Sequence, residues 1–269
     1  MSATSPLRLL ERIGSQGEGL LAYMGGLAYL AIDTLKFTVL GIVVRPRIKA
    51  DETFFQMIRL GVRAVPIIVL VQTFVGMILA FQLSPVLGDY GQLDKVATVV
   101  SISVFRELGP LITAVVLTGF AGAAIAAELG TMVVGEEIAA LRTSAIHPIR
   151  FLVVPRVIAC ILMTVSLTII ADVVGTLGGG LVDHYILMRD STAYYHTVLD
   201  SLLVKDVLTG LIKSGIFGFI IVLVSCYEGL GVVGGAVGVG RATTRSVVLS
   251  IFLIIASDCA FTAMFYFLW

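Results

Sequence analysis

The sequence predicts an all-α integral membrane protein with about five transmembrane helices. Of its 269 residues, 58% are hydrophobic and 13% are charged, and the mean hydropathy is +1.04. A chain this apolar has more hydrophobic side chains than one soluble core buries. Crossing a hydrocarbon layer of about 30 Å takes roughly 20 helical residues. The stretches with that length and character are residues 64–86, 96–119, 157–181, 207–227 and 247–268.

These stretches are predicted to be helices rather than strands of a membrane barrel. Barrel strands are about ten residues long and alternate between apolar and polar side chains. The apolar stretches are longer than that and do not alternate. Because the hydrocarbon layer offers backbone groups no water to bond, helices are the remaining solution.

The N-terminal region, residues 1–63, is predicted to be cytoplasmic and to contain an amphipathic helix that lies in the membrane interface. Residues 7–44 are only moderately apolar and are interrupted by charged residues and glycines, which favours an interfacial helix over a span. A sixth span over residues 20–44 is the alternative, and it would move the N-terminus to the outer side. The transmembrane domain begins at residue 64 and extends to residue 269.

Basic residues predict the orientation of the spans. With a cytoplasmic N-terminus, all but five of the 18 Lys and Arg residues fall in cytoplasmic segments, as the positive-inside rule requires. Five spans then place the C-terminus on the outer side. The five exceptions are Lys95, Arg189 and Lys205 outside, and Arg106 and Lys213 within spans.

Two charged residues inside the second predicted span are the first functional signal. Arg106 lies about ten residues from the outer end, roughly 15 Å along the helix axis, and Glu107 follows it. Neighbouring residues point in different directions on a helix, so these two cannot simply neutralise each other. A charge at this depth costs several kcal/mol and normally faces a cavity or a partner.

Three more charges, Asp172, Lys213 and Asp258, fall at a similar depth in later spans. In one interpretation the charges form buried ion pairs that only fix the helix register. Glu107 with Lys213 is one such pair, and Asp172 with Arg106 is another. In the other interpretation the charges surround a polar cavity that opens to the outer side and accepts an anionic headgroup.

The segment between spans two and three is predicted to be a cytoplasmic helix over residues 126–145. Acidic residues and Arg142 mark where the chain leaves the membrane, and His147-Pro148 ends the helix. From the residues alone, such a helix is either a connector or an element that contacts a partner protein.

Metal and nucleotide sites are not expected in this chain. The His and Asp residues of the outer loop, residues 182–205, share no helical metal-ligand spacing, and the three cysteines have none either. The glycine-rich inner loop, residues 228–245, lacks the Lys-Ser/Thr ending of a phosphate-binding loop. No nucleic-acid partner is expected.

Six segments, spread over residues 64–269, resemble the MlaE/YrbE permease family. Members of that family are lipid-transporting ABC permeases, so the resemblance implies a transporter subunit rather than an enzyme. The segments are long and follow the order seen in the family. They are RELGP (106–110), AAIAAELGTM (123–132), EEIAAL (136–141), HPIRFLVVPR (147–156), LIKS (211–214) and GRATTRSVV (240–248).

The resemblance implies a location and a set of partners. It implies a bacterial inner membrane, a cytoplasmic N-terminus and a periplasmic C-terminus. The permease would pair with a second copy, as a homodimer, or with a different permease chain. A separate cytoplasmic ABC ATPase would bind ATP and Mg, so no cofactor is expected in this chain, and a small STAS-domain protein is a further candidate on that side. A periplasmic hexamer of an MCE-domain protein would exchange phospholipid with the permease.

The resemblance also suggests candidate site residues. The helix over residues 126–145 is similar to the helix that couples such permeases to their ATPase, and its candidate contacts are Glu128, Glu136, Glu137, Leu141 and Arg142. The residues similar to the polar part of the lipid cavity are Arg106, Glu107 and Lys213. The residues expected to contact the acyl chains are Leu79, Phe81 and Leu83.

The predicted function is therefore the permease subunit of an ATP-driven ABC transporter that moves phospholipid between the inner membrane and an MCE-domain carrier. The alternative is an ion-coupled secondary transporter in which Asp172, Asp258 and Glu107 relay protons. The sequence has no recognisable inverted repeat with broken helices, which disfavours that alternative.

Overall fold

A computed structural model describes residues 6–43, 50–188 and 191–268 of the chain. The first five residues, residues 44–49, Arg189, Asp190 and Trp269 lie outside the described part. In the described part, the regular structure is entirely helical.

The helices are numbered α1 to α8 in chain order. The sixth connects α5 to α7 at one end of the bundle, and the fourth connects α3 to α5 at the other, so the two ends are named the α6 end and the α4 end. The elements are α1 (Pro6–Val43), α2 (Ala50–Asp89), α3 (Leu93–Val134), α4 (Glu137–Thr143), α5 (Ile149–Tyr185), α6 (Ser191–Ser201), α7 (Val204–Leu230) and α8 (Gly235–Leu268).

Five of these helices, α2, α3, α5, α7 and α8, are long and apolar enough to cross a membrane. Each contains one of the predicted spans, so the predicted fold class is confirmed. The helices extend past the apolar stretches, because hydropathy detects only the part of a helix that lies in hydrocarbon. α2, for example, begins at Ala50 and α3 continues to Val134.

Three of the long helices contain irregular turns, and α5 begins with one of them, a π-type turn over Ile149–Val153. α2 consists of the helix Ala50–Leu60, the 3₁₀ turn Val62–Ala64 and the helix Val65–Asp89. α3 contains widened π-type turns at Val104–Leu108 and Thr118–Gly122. Pro110 follows the first of these and has no N–H to donate to the preceding turn. This π turn carries Arg106 and Glu107, and such turns are frequent at functional sites.

α1 is the predicted amphipathic N-terminal helix, and it packs near the α4 end. Leu27, Leu30 and Thr34 are buried at helical spacing. The ring of Tyr23 lies edge-on to Tyr227 of α7, with ring centroids 5.0 Å apart. Burial raises the pKa of the Tyr23 hydroxyl. α1 is not among the helices apolar enough to cross a membrane, so a sixth span is not supported.

The core lies where α3, α5 and α7 meet, and its buried side chains include Leu117, Leu167 and Phe217. α2 packs along α5 on one flank, whereas α8 packs on α3 and α7 on the other flank. Glycines let α2 and α5 approach to backbone contact. A Cβ atom at Gly76 would overlap the carbonyl oxygen of Gly175.

The connection between α3 and α5 differs from the predicted single helix over residues 126–145. α3 ends at Val134, and Glu136 has a left-handed backbone with φ of 60°. The short helix α4 then runs from Glu137 to Thr143. Gly135 is a poor helix former and favours the end of α3 here, and the left-handed backbone of Glu136 then changes the direction of the chain.

Replacing Gly76 with Ala should destabilise the bundle by about 1–3 kcal/mol, because overpacking would push α2 away from α5. The thermal unfolding midpoint in detergent would fall by about 2–4 °C for each kcal/mol. Gly25→Ala is the matched control, since a Cβ there meets nothing within 4 Å. Equal midpoints for the Gly76 variant and the wild type would disprove close backbone contact between α2 and α5.

Candidate functional site

A buried lysine joins three helices in the membrane part of the bundle. Lys213 of α7 is fully buried, and its Nζ donates to Glu107 Oε2 of α3 at 2.6 Å and to Thr262 Oγ1 of α8 at 2.8 Å. Asp258 Oδ1 of α8 lies 2.8 Å from the same Nζ. The Thr262 hydroxyl donates in turn to Glu107 Oε1 at 3.0 Å. These four residues form the Lys213 cluster.

The Lys213 ammonium is enclosed by its own protein partners. An ammonium has three donor hydrogens, of which Glu107 and Thr262 receive two, and the Asp258 carboxylate lies at ion-pair distance. The geometry agrees with the interpretation in which Glu107 and Lys213 pair to fix the helix register. It does not leave Lys213 open to a phosphate, because a charge at this depth is satisfied internally at lower cost than in isolation.

Arg106 points away from the Lys213 cluster. Its side chain is 40% exposed, and Nη1 lies 3.7 Å from Asp206 Oδ1 at the start of α7. That separation is too long for a hydrogen bond. Asp206 is buried and its Oδ2 accepts the backbone N–H of Leu203 at 3.2 Å, so the same carboxylate caps α7. Arg106 therefore keeps donors for a ligand.

Arg106 lines a cleft of about 400 Å³ at the α6 end. The walls come from α3, the first turns of α7 and the last turns of α8. Asp206 and Lys213 are seven residues apart on α7, which is two turns or about 10 Å. The cleft and the Lys213 cluster therefore lie along the same contact between α3, α7 and α8, which we call the seam. The residues that line the cleft are Arg106, Lys205, Asp206, Thr209, Phe265 and Tyr266.

The sequence interpretation placed Lys205 in the outer loop, residues 182–205, and began the fourth span at residue 207, so that neither Lys205 nor Asp206 was part of a span. α7 begins at Val204 instead. An acidic residue in the first turn is a common signal for a helix N-terminus. Asp206 carries that signal and could have placed both residues on the helix.

Asp172 is separate from the other membrane charges. It is buried on α5, and its Oδ1 makes no hydrogen bond to the part of the chain that the structure describes. The carboxyl lies over Gly109 of α3, where a Cβ atom would overlap it. The predicted pair of Asp172 with Arg106 is not formed, because Gly109 faces α5 whereas Arg106 faces Asp206 of α7.

The three apolar candidates on α2 do not share one face. Leu79 and Leu83 are one turn apart and pack against a small buried cluster that includes Val96 and Val100. Phe81 lies between them in sequence and is exposed. α2 packs on the flank away from α8, so a single copy of the chain does not bring these residues to the cleft.

Glu128 of α3 forms ion pairs with α2 and α5 near the α4 end. Its Oε1 lies 2.9 Å from Arg59 Nη1 of α2 and 3.2 Å from Arg156 Nη2 of α5. Arg156 is buried and also donates to the Leu152 carbonyl at 2.7 Å. The carboxylate of Glu128 is thus engaged within the bundle, rather than presented to a partner protein as expected, because the buried arginine needs a counter-charge.

α4 presents most of the other predicted coupling residues at the surface. Glu136, Glu137 and Arg142 are exposed, and Leu141 is half-buried. Ile138 is buried and anchors the short helix on the bundle. The polar face of α4 is therefore accessible to a partner.

Comparison with known proteins identifies relatives over most of the chain. The family model described as Permease MlaE matches residues 53–264. A probable ABC transporter permease protein of Rickettsia felis is 40% identical over 230 residues, which is 86% of this chain and 89% of the relative.

Two further relatives carry more specific names. The intermembrane phospholipid transport system permease protein MlaE of Haemophilus influenzae is 30% identical over 242 residues, which is 88% of this chain and 93% of the relative. The chloroplastic protein TRIGALACTOSYLDIACYLGLYCEROL 1 of Arabidopsis thaliana is 34% identical over 224 residues, which is 83% of this chain and 64% of the relative.

Replacing Lys213 with Met should destabilise the bundle by about 3–5 kcal/mol, because two carboxylates would face each other without their cation. Adding Glu107→Gln and Asp258→Asn removes that repulsion and should restore much of the loss. The measurement is the thermal unfolding midpoint in detergent, with the exposed Lys95→Met as control. A Lys213→Met variant as stable as the wild type would show that the cluster does not hold the helices together.

Proposed function

The chain belongs to the MlaE permease family, and on that basis we propose that it is the membrane subunit of an ATP-driven ABC transporter of phospholipid. It is a multi-pass membrane protein with five helices long and apolar enough to cross a membrane. The name of the Haemophilus influenzae relative supports phospholipid as the cargo. The chain itself acts as a transporter subunit and not as an enzyme.

The half-exposed Arg106 at the end of a polar seam is the observation that carries the proposal. A guanidinium in a membrane helix is costly unless its donors are satisfied. Asp206 lies 3.7 Å away, beyond hydrogen-bond distance, so Arg106 keeps donors for a ligand in the cleft. Arg106 lines a cleft that also has aromatic residues in its lining. Charge-assisted hydrogen bonds from Arg to a phosphate are strong and directional. This combination suits a lipid headgroup better than an inorganic cation.

α3 would transmit a conformational change from the ATPase contact at α4 to the proposed lipid site at Arg106. We assign ATP and Mg to a cytoplasmic ABC ATPase that contacts the exposed face of α4. Only Gly135 and Glu136 separate α4 from α3. Arg106 and Glu107 lie in the other half of α3. Glu128 fixes the base of α3 to α2 and α5 through Arg59 and Arg156. A displacement of α4 would therefore move the helices as rigid bodies.

The proposed location is the bacterial inner membrane, with the α4 end cytoplasmic and the α6 end periplasmic. A second copy of the permease completes the membrane unit. An MCE-domain hexamer would receive or deliver phospholipid at the α6 end, where the cleft opens. A small STAS-domain protein is a further candidate partner of the ATPase.

The arrangement of the carboxylates disfavours an ion-coupled mechanism. Glu107 and Asp258 meet at Lys213, whereas Asp172 lies at the contact of α3 and α5 over Gly109. A proton relay needs a continuous chain of exchanging groups. Asp172 is therefore poorly placed to continue a relay from the other two.

Replacing Arg106 with Ala should lower ATP-dependent transport about ten-fold or more, because a charged hydrogen bond to the headgroup is lost. The measurement is transfer of a fluorescent phospholipid from proteoliposomes that contain the permease with its co-purified ATPase. Arg241→Ala, an exposed arginine of α8 near the α4 end, is the matched control. Transfer that continues without nucleotide and follows a pH gradient would contradict the proposal and support ion coupling.

A further inference from the structure

The cleft at the α6 end carries one net positive charge. Arg106 and Lys205 supply two cations, and Asp206 supplies one carboxylate. Asp206 is already engaged by the N-terminus of α7 and lies 3.7 Å from Arg106. The carboxylate therefore positions the guanidinium and does not neutralise the whole cleft. One net positive charge is complementary to the single negative charge of a phosphodiester.

Lys205 is a half-buried cation in the first turn of α7. Within the described ranges, no carboxylate lies within ion-pair distance of its ammonium. Its backbone is fixed in the first turns of α7, where its carbonyl accepts the Thr209 hydroxyl at 2.6 Å. A cation held beside a second cation is unfavourable unless an anion joins them. Arg106 and Lys205 line the same cleft with one carboxylate, so a bound anion would offset the remaining positive charge.

Two aromatic residues from the last turns of α8 also line the cleft. Phe265 is buried, and Tyr266 is 79% exposed. Aromatic residues at the end of a membrane helix are typical of the level of the lipid headgroups. The volume of about 400 Å³ falls in the range of roughly 300–1,000 Å³ found for small-molecule sites. The cleft thus matches a molecule with a phosphate and an apolar continuation.

The Lys213 cluster excludes an anion from the deeper part of the seam. It contains one lysine and two carboxylates, Glu107 and Asp258. A phosphate that moved two turns deeper would meet a surplus of negative charge. The phosphate is therefore held at the cleft and not at Lys213.

We propose that Lys205 and Arg106 together bind the phosphate of a phospholipid headgroup in this cleft, a role that rests on the phospholipid transport proposed above. Lys205 is the second phosphate ligand in place of Lys213. Asp206 orients Arg106, and Phe265 and Tyr266 contact the glycerol and the first part of the acyl chains. A free phosphate ester has the same anionic chemistry, so the two sources need separate tests.

Native mass spectrometry of the purified full-length chain in detergent tests this role. The probes are dioleoylphosphatidylglycerol, the phosphate-free dioleoylglycerol and inorganic phosphate. Lys205→Gln should bind the phospholipid about ten-fold more weakly than the wild type, because one charge-assisted contact is lost. Lys205→Arg should retain binding. Lys95→Gln is the matched control, since Lys95 is an exposed lysine at the same end that does not line the cleft.

Each of the other outcomes has a distinct meaning. Equal phospholipid binding by Lys205→Gln and Lys95→Gln would overturn the role of Lys205 and leave the proposed transport function standing. Binding of inorganic phosphate, or of dioleoylglycerol as strongly as of the phospholipid, would overturn recognition of a lipid phosphate at this cleft. A wild-type chain that binds no phospholipid would contradict the proposed function itself. An unchanged thermal midpoint of Lys205→Gln shows that weaker binding is not caused by unfolding.

Discussion

Enclosure of the Lys213 ammonium by Glu107, Asp258 and Thr262 is the interaction on which the candidate site depends. A cation in a membrane bundle must be neutralised within the protein, so α3, α7 and α8 stay together around it. The same interaction directs Glu107 into the seam. Because adjacent residues on a helix point in different directions, Arg106 is turned to the cleft at the α6 end. One buried lysine thus sets both the helix contacts and the exposure of the neighbouring arginine.

α3 links the two ends of the molecule. Near the α4 end it is anchored through Glu128 to Arg59 and Arg156, and the exposed α4 follows it after the break at Gly135. Further along, the π turn Val104–Leu108 carries the charged residues of the seam. A rigid helix with an ion-pair anchor near each end transmits displacement better than a flexible connection does. α3 therefore connects the exposed α4 to the charged residues around Lys213.

The sequence predicted the five membrane-crossing helices because apolar length is a local property that needs no knowledge of contacts. Counting residues from the outer end of each predicted span also placed Glu107, Lys213 and Asp258 at a similar depth in the membrane, and the structure joins them. The sequence could not predict that Arg106 faces Asp206 and that Asp172 faces Gly109. Those contacts depend on how the π turn rotates α3. Lys205 was missed because the polar first turn of α7 resembles a loop in hydropathy. The break after Val134 was missed although Gly135 is a poor helix former, because an isolated glycine is also tolerated inside a helix.

The central claim is that this chain is the membrane subunit of an ATP-driven phospholipid transporter. Affinity purification from its native membrane in mild detergent, followed by mass spectrometry of co-purifying chains and bound lipid, tests it most directly. The account predicts an ABC ATPase and an MCE-domain protein in the complex, together with bound phospholipid. A charge reversal at the exposed Arg142 of α4 should weaken retention of the ATPase. Recovery of the chain without an ATPase and without phospholipid would contradict the claim.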